Sequence, residues 1–121
     1  MASVLVVDDD EPIRNLLARV LERDGHAVTS ARHGDDAIGA LAQRAFDLLV
    51  LDLMMPVADG SGVLAFMREQ QRWTPTIIVT AMHRKQIASM NIEGVVSILE
   101  KPFDIAALQA RVADALPRSP D

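Results

Sequence analysis

The stretch Val4-Leu-Val-Val-Asp-Asp-Asp10 joins four consecutive apolar residues to three consecutive carboxylates. Four apolar residues in succession, three of them β-branched, are typical of a strand that is buried on both faces. Because this run ends abruptly at Asp8, the acidic residues should lie at the carboxyl end of the strand. Pro12 then occupies a position that the first turn of a helix tolerates, and Ile13 begins an apolar stripe with helical spacing. The stretch therefore predicts a buried strand, an acidic loop and a helix in succession.

The same alternation continues to the end of the chain. The first helix is expected to end near Asp24-Gly25, and Asp104 is expected to cap the last one. The remaining strands are predicted at 26–31, 46–51, 76–79 and 95–99, and the remaining helical patterns at 37–45, 63–73, 84–90 and 105–116. Residues 52–56 and 58–60 have turn chemistry, because proline and glycine occur there. Five strands alternating with five helices predict a single doubly wound α/β domain, with a parallel sheet covered on both faces.

The composition limits what this domain can do. Half of the 121 residues are hydrophobic, which is enough for one core. The sequence contains no cysteine, which excludes disulfides, thiolate metal sites and cysteine nucleophiles. A formal net charge of −5 argues against nucleic acid or an anionic membrane surface as a direct partner. No apolar run approaches the roughly 20 residues of a membrane span, so we expect a cytoplasmic protein with its domain over residues 1–117 and a tail or linker at 118–121.

Polar residues with related chemistry follow four of the predicted strands. Asp8 and Asp9 follow the first, Asp52 the third, Thr80 the fourth and Lys101 the fifth. The carboxyl ends of parallel strands share one edge of a sheet, so these side chains should meet there. Two carboxylates about 4 Å apart repel by on the order of 4 kcal/mol at an effective dielectric constant near 20, so a cation is expected among them. Oxygen ligands favour Mg²⁺, and a carboxylate beside that ion can act as a nucleophile toward a phosphoryl group.

Four segments of the sequence resemble the response-regulator receiver domains of two-component signalling. They are the acidic opening Val4-Leu-Val-Val-Asp-Asp-Asp-Glu-Pro-Ile-Arg14, the loop Leu49-Val-Leu-Asp-Leu-Met-Met-Pro56 with Asp59-Gly60, the pair Thr80-Ala81, and Lys101-Pro-Phe103. Each segment is weak evidence alone, but the four occur in order and span nearly the whole chain. The resemblance implies a flavodoxin-like (βα)5 fold with strand order 2-1-3-4-5.

The resemblance also implies roles for individual residues. Asp52 would receive the phosphoryl group from a sensor histidine kinase or a histidine phosphotransfer protein. Mg²⁺, or Mn²⁺ in its place, would be bound directly by Asp9 and Asp52, by Asp8 through water, and by the backbone carbonyl of Met54. Thr80 and Lys101 would contact the phosphoryl oxygens.

Further implied positions concern switching and the lifetime of the phosphoryl group. Ile98 stands where family members commonly carry the aromatic residue that switches together with Thr80, so the family's aromatic switch is replaced here. Met54 and Met82 occupy the two positions that tune attack by water, and neither can orient a water molecule as a carboxylate would. The Lys101–Pro102 peptide bond is expected to be cis.

The residues at the predicted sheet edge are compatible with three functions. The first is a phosphorylation-controlled switch that catalyses only its own phosphorylation and dephosphorylation, through the face formed by helix 4, strand 5 and helix 5. The second is a pseudo-receiver that binds partners without phosphorylation, and Ile98 is the residue that favours it. The third is a magnesium phosphohydrolase, which the absence of an Asp-x-Asp sequence at Asp52 disfavours. We expect the first, in a monomer or a weak phosphorylation-dependent dimer.

Overall fold

Strands and helices alternate along the described residues, 2–54 and 60–116 of a computed structural model. Over these ranges the elements are β1 (Ser3–Val7), α1 (Glu11–Arg23), β2 (Ala27–Ala31), α2 (Gly34–Gln43), β3 (Leu48–Leu51), α3 (Gly60–Gln70), β4 (Thr76–Thr80), α4 (Arg84–Ala88), β5 (Val95–Glu100) and α5 (Ile105–Ala115). Their order and type agree with the hydrophobic pattern.

The five strands form one parallel sheet in the order β2-β1-β3-β4-β5, which confirms the predicted fold. The chain runs from β1 outward to β2 and then crosses back to β3 on the other side of β1. The strand order therefore reverses between β1 and β3. In open α/β sheets, ligands bind outside the carboxyl ends of the strands at such a switch point.

Two separate hydrophobic cores cover the two faces of the sheet. Leu5 and Leu49 belong to the core beneath α2, α3 and α4. Val4 and Leu48, their neighbours in sequence, belong to the core beneath α1 and α5. This division follows from the alternation of side chains along a strand, and it explains why the central strands are apolar at every position.

Side chains cap the first and last helices as their sequences suggest. Asp10 accepts a hydrogen bond from Ile13 N at 3.3 Å, which begins α1. Asp104 accepts one from Ala106 N at 3.1 Å, which confirms it as the cap of α5. Each carboxylate also lies where the positive end of the helix dipole favours negative charge.

The helix α3 ends earlier than its apolar pattern predicts. It stops at Gln70, because Gln71 adopts the left-handed conformation with φ 54°. Trp73, which the pattern placed at the end of this helix, therefore lies in the connection to β4 and is 38% exposed. The prediction of a helix reaching residue 73 was wrong because an apolar residue at helical spacing does not require helical backbone.

Other boundaries differ by a few residues. Arg44 is extended, with φ −158° and ψ 163°, so α2 ends before it and Ala45 lies outside the helix. Phe46 is buried but precedes β3. The helix α4 was predicted to reach Met90, but it ends at Ala88 with Ser89 as its C-cap. At β2, β4, β5 and the end of α5 the predicted and observed bounds differ by one residue.

Candidate functional site

Three carboxylates lie together at the carboxyl edge of the sheet. Asp8 and Asp9 follow β1, and Asp52 follows β3, which is hydrogen-bonded to β1. One carboxylate oxygen from each residue lies within 4.8 Å of the other two. Asp8 is 1% exposed and Asp52 4% exposed, whereas Asp9 faces solvent. The structure thus assembles the predicted acidic cluster from two buried acids and one exposed acid.

Lys101 extends from the end of β5 into this cluster. Its Nζ atom donates hydrogen bonds to Asp8 Oδ2 at 2.8 Å and to Asp52 Oδ2 at 3.2 Å. A single ammonium thereby bridges the two buried carboxylates and offsets their mutual repulsion. The Lys101–Pro102 peptide bond is cis, as the sequence resemblance predicted.

Backbone amides hold the other oxygen of each buried carboxylate. Asp10 N donates to Asp8 Oδ1 at 2.9 Å, and Met54 N donates to Asp52 Oδ1 at 3.0 Å. In each acid, therefore, Oδ1 faces a backbone N–H and Oδ2 faces Lys101. Both carboxylates are held in defined orientations before any ligand arrives, which is the condition for a preorganised site.

Arg14 supports the same site and was not singled out from the sequence. Its Nη1 atom donates a hydrogen bond to the backbone carbonyl of Asp8 at 2.9 Å. This hydrogen bond joins the beginning of α1 to the loop between β1 and α1. The only signal in the sequence was a cationic side chain six residues after an acid, a spacing too common to identify a contact.

The ionisation of the cluster follows from burial and from its internal charges. Burial, the largest effect, raises the pKa of Asp8 above its usual value of 3.8, and Asp52 contributes in the same direction against the lowering effect of Lys101. Burial lowers the pKa of Lys101, but its hydrogen bonds and charge interactions with Asp8 and Asp52 outweigh that effect and leave the pKa raised. Lys101 is therefore an ammonium at neutral pH.

Thr80, at the end of β4, is completely buried beside this cluster. Its backbone carbonyl accepts a hydrogen bond from Lys101 N at 2.9 Å, which fixes the two residues as neighbours. Its Oγ1 atom accepts a hydrogen bond from Met82 N at 3.1 Å. The threonine hydroxyl is thus present at the predicted edge and is bonded to its own loop.

The remaining predicted positions surround these groups. Ile98 lies in β5, pairs in register with Ile78 of β4, and packs against the core beneath α4. The side chain of Met54 is 52% exposed, and Met82 is partly buried against the same core as Ile98. Of the turns predicted at 52–56 and 58–60, residues 52–54 and Gly60 lie within the described residues. Gly60 is the first residue of α3, so the prediction of a turn at this residue was wrong.

The residues present fit a hard divalent cation. The three clustered carboxylates supply only oxygen donors, which suits Mg²⁺. Three carboxylates also exceed the single ammonium of Lys101 in charge, so the described cluster keeps an excess of negative charge that a cation would compensate.

The fold and the site together define a flavodoxin-like α/β domain whose acids, lysine and threonine meet at the switch point of the sheet. The family model for the response regulator receiver domain matches residues 4–113. The chain belongs to this family, the receiver domains of two-component systems, which interact with histidine kinases and typically bind Mg²⁺.

Individual relatives agree with this assignment. The chain is 37% identical over 119 residues to the transcriptional regulatory protein TcrA of Mycobacterium tuberculosis, covering 97% of this chain and 47% of TcrA. The receiver domain of the Francisella response regulator 1452 superposes with a TM-score of 0.86 at 33% identity, covering 95% of this chain and 96% of that one. The Thermotoga maritima response regulator TrrA, solved in complex with Mg(2+)-BeF, gives a TM-score of 0.86 at 28% identity, covering 96% and 100%.

The chain spans about half the length of the first curated relatives that it matches. Several relatives are named as transcriptional regulators, among them the DNA-binding regulator NtrC of Proteus hauseri. Across the described part of this chain, each helix is too short or too polar to cross a bilayer.

Proposed function

We propose that this domain accepts a phosphoryl group on Asp52 from the phosphohistidine of a sensor histidine kinase or a histidine phosphotransfer protein, in a reaction that requires Mg²⁺. The observation that carries the proposal is the bridge from Lys101 Nζ to Asp8 Oδ2 and Asp52 Oδ2. An ammonium beside a nucleophilic carboxylate provides charge for incoming phosphoryl oxygens. The Mg(2+)-BeF complex of the similar protein TrrA supports the same chemistry.

Asp52 acts as the nucleophile. One carboxylate oxygen attacks phosphorus while the bond from phosphorus to the histidine nitrogen breaks, and the imidazole leaves with that electron pair. The product is an aspartyl phosphate at Asp52. Hydrolysis reverses the state of the switch: water attacks phosphorus, the acyl phosphate P–O bond breaks, and carboxylate and inorganic phosphate remain. The domain turns over no separate substrate.

Asp9 and Asp52 would hold the metal ion directly, with Asp8 acting through water and Met54 through its backbone carbonyl; Mn²⁺ would be accepted at the same oxygens. The bound ion supplies positive charge to the transferring phosphoryl oxygens. Backbone amides restrain the carboxylates of Asp8 and Asp52, so these two ligands need little reorganisation.

Thr80 and Ile98 couple the site to the surface formed by α4, β5 and α5. In the proposed switch, the Thr80 hydroxyl leaves Met82 N and donates to a phosphoryl oxygen, and Ile98 repacks against β4. Thr80 and Ile98 lie on adjacent paired strands, which gives this movement a short route. An unchanged Thr80 rotamer and backbone in phosphorylated and free structures would contradict this mechanism.

The proposal extends to the bounds, location, oligomeric state and partner surface of the domain. We propose that residues 1–117 form the receiver and that 118–121 belong to a tail or linker, in a cytoplasmic protein that is monomeric or dimerises weakly on phosphorylation. The partner or output module reads the α4, β5 and α5 surface, and the receiver itself does not bind nucleic acid.

Intact mass after incubation with Mg²⁺ and acetyl phosphate tests the proposal. Wild type should gain the mass of one phosphoryl group, and Asp52→Asn or wild type in EDTA should gain none. Asp36→Asn, which changes an exposed acid in the first turn of α2, is the matched control and should be phosphorylated like wild type.

A second function is favoured by one residue, because Ile98 replaces the aromatic side chain that the family resemblance leads one to expect. In that case the domain binds partners without phosphorylation. A folded wild type that binds Mg²⁺ but gains no mass, either from acetyl phosphate or from phosphorylated histidine kinases, would favour this pseudo-receiver. Mass gain that persists in Asp52→Asn would instead show that another residue is the acceptor.

A further inference from the structure

A cleft opens at the amino edge of the sheet, opposite the phosphoacceptor. It has a volume of about 420 Å³ and lies between the end of α2, α3 and the connection into β4. The strands between this edge and Asp52 are four or five residues long, so the two sites are about 15 Å apart along the strands. The cleft therefore shares no residue with the receiver chemistry.

Two guanidinium groups line this cleft, and neither forms an ion pair with a carboxylate in the described part of the chain. Arg44 donates to Thr29 Oγ1 and stacks over Phe46, with its Cζ atom 4.6 Å from the ring centroid. Both partners are neutral, and no acid among the described residues forms an ion pair with Arg44. Arg72 is exposed, and its guanidinium forms no ion pair with any residue at 2–54 or 60–116. Among the described lining residues none is acidic, although the whole chain carries a net charge of −5.

Aromatic and aliphatic side chains supply the rest of the surface. Phe46 and Phe66 lie on the wall, with Leu41 and Met67 beneath them. Trp73 lines the same cleft and is 38% exposed. An aromatic wall beside arginine guanidinium planes favours a flat ring with a negative substituent, since a ring stacks on both groups and an anion pairs with the cation.

We propose that this cleft binds a small organic anion that carries an aromatic ring, such as a mononucleotide or an aromatic carboxylate. The ring lies against the apolar wall, and the anionic group pairs with Arg72 and the free N–H groups of Arg44. The volume suits a small molecule, because ligand sites commonly occupy about 300–1,000 Å³. The charge of the lining selects an anion over a neutral or cationic ring.

Trp73 provides the readout, because it is the only tryptophan of the chain. Unphosphorylated, metal-free protein is titrated separately with AMP and salicylate, and with adenosine and inorganic phosphate as compounds that each lack one half of the recognised chemistry. Fluorescence of Trp73 excited at 295 nm is recorded for AMP, adenosine and phosphate, and isothermal calorimetry is recorded for all four compounds, because salicylate itself absorbs at this wavelength. We expect saturable binding of AMP, salicylate or both, at least tenfold tighter than adenosine or phosphate alone.

Two variants locate the site. Arg72→Ala and Arg44→Ala should each weaken binding about tenfold, as expected for the loss of one charge-assisted contact. Arg19→Ala, an exposed arginine of α1 outside the cleft, is the matched control and should bind like wild type. Because Arg72 has no ion pair to lose within the described chain, its replacement should leave thermal unfolding unchanged.

The outcomes separate clearly. Binding of AMP alone or salicylate alone supports the site and identifies which class of anion it prefers. Failure of both to bind up to millimolar concentration would overturn the proposal. Equal binding by wild type and both arginine variants would overturn it too, because the ligand would then lie elsewhere.

Discussion

The carboxyl of Asp8 connects a single buried side chain to the pH dependence of folding. Because burial raises its pKa above 3.8, the folded chain holds this proton more tightly than the unfolded chain does. The stabilisation of the folded state by this bound proton is fully present below pH 3.8. It is lost as the pH rises through the pKa of Asp8 in the folded state. At neutral pH without metal, ionised Asp8 therefore lowers the free energy of unfolding.

The variant Asp8→Asn should be more stable than wild type at pH 7 in EDTA, by on the order of 1 kcal/mol. Its free energy of unfolding should also vary less between about pH 4 and pH 7, because the titrating group is gone. Urea unfolding at several pH values measures both effects, with Asp36→Asn as the exposed control. A less stable Asp8→Asn at pH 7 would mean that the bond from Lys101 outweighs the burial of the charge.

The two methionines near Asp52 set the lifetime of the phosphoryl group, if Asp52 is the acceptor as proposed. Neither Met54 nor Met82 carries a group that orients water for attack. Met82→Glu or Met54→Asn should therefore speed loss of the phosphoryl group by about tenfold or more. Intact mass during the decay of purified phosphoprotein gives the rate, and Met82→Leu should decay like wild type. Unchanged decay in both polar variants would contradict this account.

At the scale of elements, the connection from α4 to β5 depends on one glycine. Gly94 has φ +88°, and a Cβ atom there would come within 2.4 Å of Trp73 Cε3. Gly94→Ala should lower the free energy of unfolding by about 1–3 kcal/mol and alter the fluorescence of Trp73. Gly39→Ala, in α2 with open space around it, should be neutral or stabilising by up to about 1 kcal/mol. Equal effects of the two changes in urea unfolding would refute the contact.

The helices and strands were predictable from the sequence where apolar residues recur with a regular spacing. The residues at which the helices end were harder to predict. The runs that form β1 and β3 are apolar without interruption, so their identity followed from the sequence. The ends of α2 and α3 depend on the extended Arg44 and the left-handed Gln71, neither of which is a residue that ordinarily ends a helix. Each of these two boundaries depends on the backbone conformation of a single residue. The spacing of hydrophobic residues carries no information about that conformation.

At the scale of the whole molecule, the site was predictable because the topology brings strand ends together. Asp8, Asp52 and Lys101 are up to 93 residues apart, and the rule for parallel sheets placed them at one edge. The amides of Asp10 and Met54 that restrain the carboxylates were not predictable, since they depend on loop backbone. The cationic cleft was missed for a similar reason, because Arg44 and Arg72 come from separate connections with no shared motif.

Mg²⁺ should stabilise the whole fold if the acidic cluster holds it. Binding to the folded state alone adds about 2.7 kcal/mol to the free energy of unfolding at a concentration 100 times Kd. Thermal unfolding across a series of Mg²⁺ concentrations measures this effect. Asp9→Asn should abolish it and leave metal-free stability within about 0.5 kcal/mol of wild type, since Asp9 is exposed. A full metal response in Asp9→Asn would remove this residue from the ligand set.

The placement of β1 and β3 between two cores affects how often their backbone hydrogen bonds open. Their amides, such as those of the paired Val6 and Val50, are shielded from both faces and should exchange hydrogen only when the entire molecule opens. Asp52 is bonded through its own amide to Val7 at the end of this region. Asp52, the proposed phosphoacceptor, is therefore attached to the part of the molecule that should open most slowly. The five-residue helix α4, on the surface proposed to change, should open and close many times before the β1 and β3 region opens once.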